Sequence, residues 1–398
     1  MNSQAAPIKE ASRLQWVDAA RGFAIFGIFM VNIGAFSAPY FLYGGAEDTW
    51  TQTIDRYTME IIDIFFQASF YTLFSLLFGF GFQMLKERLV EKNIDVGPFL
   101  FRRLFILICF GVIHAFFIWN GDILLSYGII GLFLPAFINR SNKTMVIWAV
   151  LILGGSTYVY SRFLYAFRDY LDYYDVAAIY LAIEHYSSSN LLVILGQNSK
   201  DWFYANGIFS YFMLATTLLP LFLFGMFIAR KRWLHQPDKN KSLLVTAWVI
   251  SLVIFLVLKM GPYAYGNPTW FSYIQDNIGG TASALFYVLS IVLLTQTKTG
   301  MKLMKPLTYV GRMSLSNYIT QSIICFILFY GVGFGLYGSI RPSVSVVIVV
   351  IVFVGQIFVS RWWFSHFLFG PLEWIWRSLT YWQRQPLKKV RKEQLSSE

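Results

Sequence analysis

The sequence predicts an all-α protein, a polytopic transmembrane helical bundle of about ten spans with both termini in the cytoplasm. Three observations predict it. Hydrophobic residues make up 57% of the 398 residues and charged residues only 13%, whereas an ordinary soluble domain is about a quarter charged. Apolar runs of membrane-crossing length recur along the whole chain, and the basic residues gather on alternate connections between those runs. A soluble core could not hide this much apolar surface and still carry a polar coat. Strands of a membrane barrel would alternate polar and apolar residues, which these runs do not. Residues 1–398 are therefore read as one integral membrane domain.

In chain order the spans are expected over residues 22–42, 62–84, 104–119, 123–138, 145–160, 208–229, 243–258, 282–294, 315–336 and 344–359. With the N-terminus placed inside, every Lys and Arg except Arg56, Arg162, Arg168, Lys200, Lys259 and Arg341 falls on an inner segment. That separation follows the positive-inside rule and would be lost if one span were added or removed. The net charge of +11 then faces anionic inner-leaflet lipid or an anionic cytosolic ligand, and nucleic acid is not expected. The signal-peptidase-like Ala35-Phe36-Ser37 is read as uncleaved. Residues 161–207 are long for a connection, rich in Tyr and apolar at helical spacing, so one or two outer interfacial helices are expected there. Residues 367–398 read as a cytoplasmic amphipathic helix followed by a basic tail. Cys109 and Cys325 both sit in apolar runs and form neither a metal-ligand spacing nor a disulfide framework. No metal is expected.

Polar residues within or beside the spans are the candidates for function. An inner layer holds Asp18 and Arg21, three apart on one helical face, then Arg102, Arg103, Arg312, Asn317, Gln321 and Arg377, the last four residues after Glu373. Two readings stand. These groups are anchors and helix-to-helix bonds, or they form a basic pocket for a phosphate- or carboxylate-bearing ligand, a task to which the guanidinium fork is suited. An outer layer holds Asn32, His114 and Asp122. Of the four histidines, His114 alone is placed well inside a span, and Asp122 can accept its ring N–H if the Gly121 turn folds back. This layer reads either as helix packing or as a general base with its orienting acid.

The opening Arg13-Leu14-x-x-Val17-Asp18-x-x-Arg21-Gly22-x-Ala24 with Val31-Asn32, the segment His114, Trp119, Gly121-Asp122-Ile123-Leu124 and Tyr127, the run Gly311-Arg312-Met313-Ser314-Leu315-Ser316-Asn317-Tyr318 with Gln321, and Gly370-Pro371-Leu372-Glu373-Trp374 with Arg377 together resemble the YeiB family, the proteins of domain of unknown function 418. The same opening is similar to that of the transmembrane acyltransferases that include heparan-α-glucosaminide N-acetyltransferase. That resemblance implies acyl transfer from cytosolic acyl-CoA, such as acetyl-CoA, to an acceptor at or beyond the membrane. Asn32 matches the motif asparagine of those enzymes. Residues 33–50 contain no histidine, where their catalytic one lies, so His114 on another helix would take that role.

The favoured expectation is an acyltransferase-like protein of the bacterial inner membrane. Its inner arginines would hold the CoA phosphates, His114 and Asp122 would take the acceptor proton, and Asn32 would donate to the oxyanion. The alternative is a transporter or lipid-binding protein in which the same layers line a path. Expected partners are membrane lipids and a small-molecule or lipid substrate, with homodimerisation left open.

Overall fold

Helix α1 (Gln15–Ser37) is the hub of the bundle, packing against Ser69–Glu91 and against four helices of the last third of the chain, Gly280–Thr295, Lys298–Arg312, Ser314–Phe329 and Pro342–His366. The computed structural model describes residues 13–171 and 174–389; Lys9 and, from the expected basic tail, Arg391 and Lys392 lie outside them. After α1 come α2 (Thr53–Phe65), α3 (Ser69–Glu91), α4 (Val96–Phe117), α5 (Leu124–Gly131), α6 (Asn142–Ala166), α7 (Val176–Tyr186), α8 (Leu191–Ala205) and α9 (Ile208–Lys231). The second half holds α10 (Lys241–Phe255), α11 (Gly280–Thr295), α12 (Lys298–Arg312), α13 (Ser314–Phe329), α14 (Pro342–His366) and α15 (Pro371–Tyr381). Among the described residues there is no strand, only one isolated bridge between Phe367 and Lys388. The fold is all-α, as expected.

Eight helical stretches among the described residues are long and apolar enough to cross a membrane. They include α1, α4, α6, α9 and α14, the continuous stretch Thr53–Glu91, and the extended stretches Lys241–Tyr265 and Thr269–Thr295. The two remaining expected spans are shorter. Residues 123–138 fold as the eight-residue α5 and a short 3-10 turn, Leu134–Phe137. Residues 315–336 end as a helix at Phe329, and the glycine-rich stretch after it forms turns.

Local chemistry fixes where several helices begin. Asp95 accepts the Gly97 amide before α4, Ser141 the Thr144 amide before α6, Asp175 the Ala178 amide before α7 and Thr297 the Gly300 amide before α12. Each satisfies an amide that the helix itself leaves unpaired. Where helices cross, small residues decide the distance. A Cβ on Gly22 would lie 2.0 Å from the Leu307 carbonyl oxygen, and one on Gly311 would lie 1.8 Å from that of Asp18. Helices α1 and α12 therefore touch backbone to backbone, which only glycine permits. This contact brings Arg21 and Arg312 to the same end of the bundle.

The segment 161–207 holds the end of α6 and two further helices, α7 and α8, which pack on the bundle. Tyr43, Tyr186 and Gln197 all donate to Asp201, at 2.6, 2.8 and 2.6 Å. Asn198 donates to the Ala115 carbonyl of α4 at 2.7 Å.

Candidate anion site and a buried histidine dyad

A cavity of about 260 Å³ opens at the end of the bundle where α1 starts. Six arginines line it: Arg13 and Arg21 from the start of α1, Arg88 of α3, Arg103 of α4, Arg312 of α12 and Arg377 of α15. Beyond the guanidiniums the walls turn apolar, with Phe74, Leu77, Phe78 and Phe80 of α3.

The acids nearby are committed elsewhere. Asp18 pairs with Arg13 at 3.3 Å. Glu373 accepts the Leu315 amide at 2.7 Å, the Ser316 amide at 3.1 Å and the Ser316 hydroxyl at 2.5 Å. It thus caps α13 from a neighbouring helix, a carboxylate placed where the helix dipole favours negative charge. Burial pushes the Glu373 carboxyl above its ordinary range, and these donors pull it back. Three guanidiniums lie over rings: Arg103 over Trp376 at 3.9 Å, Arg312 over Phe364 at 4.1 Å and Arg377 over Phe369 at 4.7 Å. Such stacking holds the planar group in place and leaves its N–H edge able to donate. Among the described residues, Arg21, Arg88, Arg103 and Arg377 have neither a hydrogen-bond acceptor nor an ion-pair partner.

Four of the expected inner residues, Arg21, Arg103, Arg312 and Arg377, come together here, and Arg13 and Arg88 join them. Arg102 does not line the cavity; its guanidinium lies over Phe99 and Trp382. Asn317 and Gln321 face α14. Asn317 donates to the Val310 carbonyl and to Ser360, and Gln321 donates to Gln356, which returns a bond to the Asn317 carbonyl. These two side chains join helices and hold no ligand-facing edge.

The second expected site lies further along the same helices. Arg103 and His114 are eleven residues apart on α4, a rise of about 16 Å. His114 is fully buried, with its Nδ1 2.7 Å from Asp122 Oδ1 and its Nε2 2.8 Å from Ser322 Oγ. A carboxylate can only accept, so Nδ1–H donates to Asp122, while Nε2 shares a hydrogen bond with the Ser322 hydroxyl, which also reaches the Tyr318 carbonyl at 3.3 Å. The second Asp122 oxygen takes the Leu125 amide at 2.6 Å, which ties the dyad to the start of α5. The sequence reading found His114 and Asp122 but missed Ser322. The available signal was Ser322's place beside Gln321, in phase with Leu315 and Tyr318 on one face of α13.

Asn32 is half-buried and makes no hydrogen bond among the described residues. It stands one turn before Phe36, whose ring stacks on Trp119 at 3.8 Å; the Trp119 ring is in turn edge-on to His114 at 6.4 Å. The buried Trp119 Nε1 has no acceptor among the described residues. Neither Asn32, His114 nor Asp122 lines the arginine cavity.

A third polar cluster escaped the sequence reading, which placed Lys259 in an outer connection. The helix that starts as α10 continues through a wide turn, Leu256–Met260, and buries this lysine completely. Its ammonium lies 3.1 Å from Asp276 and 3.9 Å from Asp63, and Asp63 also accepts from Tyr263 and Gln275. Among the described residues no group of His, Cys, Asp and Glu is arranged to hold a metal ion.

Fold and site together define a polytopic helical membrane protein with an arginine-lined cavity at one end of its bundle. The chain belongs to the YeiB family, the proteins described as "Protein of unknown function (DUF418)", whose family model matches residues 228–383. "Uncharacterized protein YxaH" of Bacillus subtilis is 34% identical over 97% of this chain and 98% of its own. "Uncharacterized protein YeiB" of Escherichia coli is 28% identical over 92% and 95%. The "Uncharacterized 39.9 kDa protein in amylase 3'region" of Bacillus acidopullulyticus is 28% identical over 96% and 97%. No solved structure matches the chain.

Proposed function

We propose that the arginine cavity binds the phosphate groups of a cytosolic acyl-CoA and that the protein is an acyltransferase-like enzyme of the bacterial inner membrane, with its arginine end toward the cytoplasm. One observation carries the reading: Arg21, Arg88, Arg103 and Arg377 surround a cavity and have no hydrogen-bond acceptor or ion-pair partner among the described residues. Unpaired charge beside an apolar wall is unfavourable unless an anion answers it. Several guanidiniums set around one space match a ligand with several phosphates. The orientation rests on the clustering of basic residues at that end.

The acyl-transfer part is supported by the His114–Asp122 dyad. Asp122 holds the imidazole in the tautomer whose Nε2 is free of hydrogen, which is the form a general base needs. Leu315 at the cavity and Tyr318 and Ser322 beside His114 lie along one face of α13, so that helix links the two regions. The proton of an acceptor hydroxyl or amine would pass to Nε2 as the acyl carbon is attacked, and the departing thiolate would take a proton in turn. A second reading has its own observation. His114 has both nitrogens engaged and is fully buried, as a static helix-to-helix bond would be. The arginine cavity would then serve transport or binding of the same anion.

The test uses the full-length protein in detergent with CoA and acetyl-CoA. Binding measured by calorimetry should be lost in the pair Arg103→Gln and Arg377→Gln. His114→Ala should keep binding and abolish transfer to an acceptor. Binding with no product, and unmodified substrate crossing proteoliposomes, would replace the enzyme by the transporter. No binding of any CoA species ends the acyl-CoA reading.

A further inference from the structure

A second cavity, of about 420 Å³, lies beside the first between α3, α9, α10 and α11. Its walls are hydrocarbon almost throughout, including Leu76, Phe224, Leu244, Ala247, Leu285 and Leu289. The indole of Trp16 also faces it, but the indole N–H is spent on the Leu234 carbonyl at 3.0 Å. Such a space gives water no hydrogen-bonding partners, and an empty one forfeits the contacts of its lining. Its natural occupant is a hydrocarbon chain. Leu243 and Ile254 on its rim are 44% and 38% exposed on the apolar perimeter of the bundle, so a chain can arrive sideways from the bilayer.

The position of this cavity says more than its lining. Leu77 and Phe80, one turn apart on α3, line both cavities. On α1, Trp16 faces the apolar cavity while its neighbours Leu14 and Val17 face the arginines. The partition is thus a single layer of side chains, with the Trp16 ring edge-on to Phe80 at 5.2 Å. A cluster of arginines, four of them without an ion-pair partner among the described residues, on one side of a thin apolar wall and a hydrocarbon-lined space on the other are complementary to one kind of molecule.

We infer that the two cavities form one composite site for a long-chain anionic amphiphile, its phosphate-bearing head among Arg21, Arg103 and Arg377 and its chain in the space lined by Ala247 and Leu285. This rests on the reading of the arginine cavity as an anion site and deepens it, because it names the ligand class as long-chain. The shared chemistry is phosphate joined to a fatty chain. Its source is a long-chain acyl-CoA or an anionic membrane lipid.

The experiment compares acetyl-CoA, palmitoyl-CoA and dipalmitoyl phosphatidic acid by native mass spectrometry on full-length protein in zwitterionic nanodiscs. Palmitoyl-CoA should bind at least tenfold more tightly than acetyl-CoA. Ala247→Trp, which fills the apolar cavity, should remove that advantage and leave acetyl-CoA affinity unchanged. Leu285→Trp serves the same purpose if Ala247→Trp does not fold. Phosphatidic acid binding that needs both the arginines and the open apolar cavity would support the site with a lipid source. Equal affinity for short and long chains, with arginine dependence kept, overturns the composite site and spares the anion reading. Chain-dependent binding that survives both filling variants overturns it as well. Binding unaffected by Arg103→Gln and Arg377→Gln overturns the anion reading itself.

Discussion

The two polar ends of this bundle treat charge in opposite ways. At the histidine end the buried Lys259, Asp122 and Asp201 are answered within the protein. Lys259 has Asp276 and Asp63, Asp122 has His114 and the Leu125 amide, and Asp201 has three donors. At the arginine end, four guanidiniums around one cavity have no acceptor among the described residues, and the nearby carboxylates are committed to Arg13 and to the start of α13. Charges that satisfy one another hold helices together. Charges left over are the ones the proposed ligand would answer.

The contrast can be broken by mutation. Lys259→Ala should have the largest effect on stability, because it removes the buried cation that the half-buried Asp276 and Asp63 share; removing one partner of a fully buried pair costs about 3–5 kcal/mol, and the partial exposure of the two acids lowers that figure. Thermal unfolding in detergent checks this, and a change under 1 kcal/mol would remove the distinction between the ends. Arg103→Gln should do the reverse. It relieves repulsion among the guanidiniums and should leave unfolding unchanged or raise its midpoint, while anion affinity falls by about 1.5–3 kcal/mol, the worth of a charge-assisted bond. An arginine variant that unfolds the protein would mean that this end, too, is a structural assembly.

The smallest effect concerns His235, in the connection between α9 and α10. Its ring stacks on Phe80, the partition residue, and burial with the nearby Arg232 lowers its pKa from 6.5. The unfolded chain then binds more protons than the folded one just below that value. Stability contributed by the neutral ring is present above pH 6.5 and is lost as pH falls below it. Because the ring is half-buried, the loss should stay under about 1 kcal/mol. His235→Gln should flatten the acid limb of a melting-temperature profile; an unchanged limb assigns it to other groups.

Much of this was legible in the sequence, for definite reasons. Long apolar runs need no tertiary knowledge to be read as helices, and the arginines stood out because lipid disfavours them. Helical phase was harder. Arg102 and Arg103 are adjacent, so they point about 100° apart on a helix, and only packing shows that Arg103 faces the cavity. Asn317 and Gln321 looked like site residues because polar groups in spans often are, yet their partners Ser360 and Gln356 lie in a distant helix and satisfy them. Lys259 stood at the edge of an apolar run and was placed outside; the wide turn that carries it inward has no signature in composition. Ser322 was hidden by its ordinariness, since a serine in a span usually bonds its own helix backbone, as Ser322 also does at the Tyr318 carbonyl, 3.3 Å away.

The bond between Glu373 and the first turn of α13 has a mechanical consequence. One carboxylate holds the floor of the arginine cavity to the helix that carries Ser322. Swinging α15 aside would strip three charge-assisted bonds at once, each worth about 1.5–3 kcal/mol. The wall of the proposed anion site is therefore pinned to the helix that carries the histidine's serine partner, so a change in one is felt at the other.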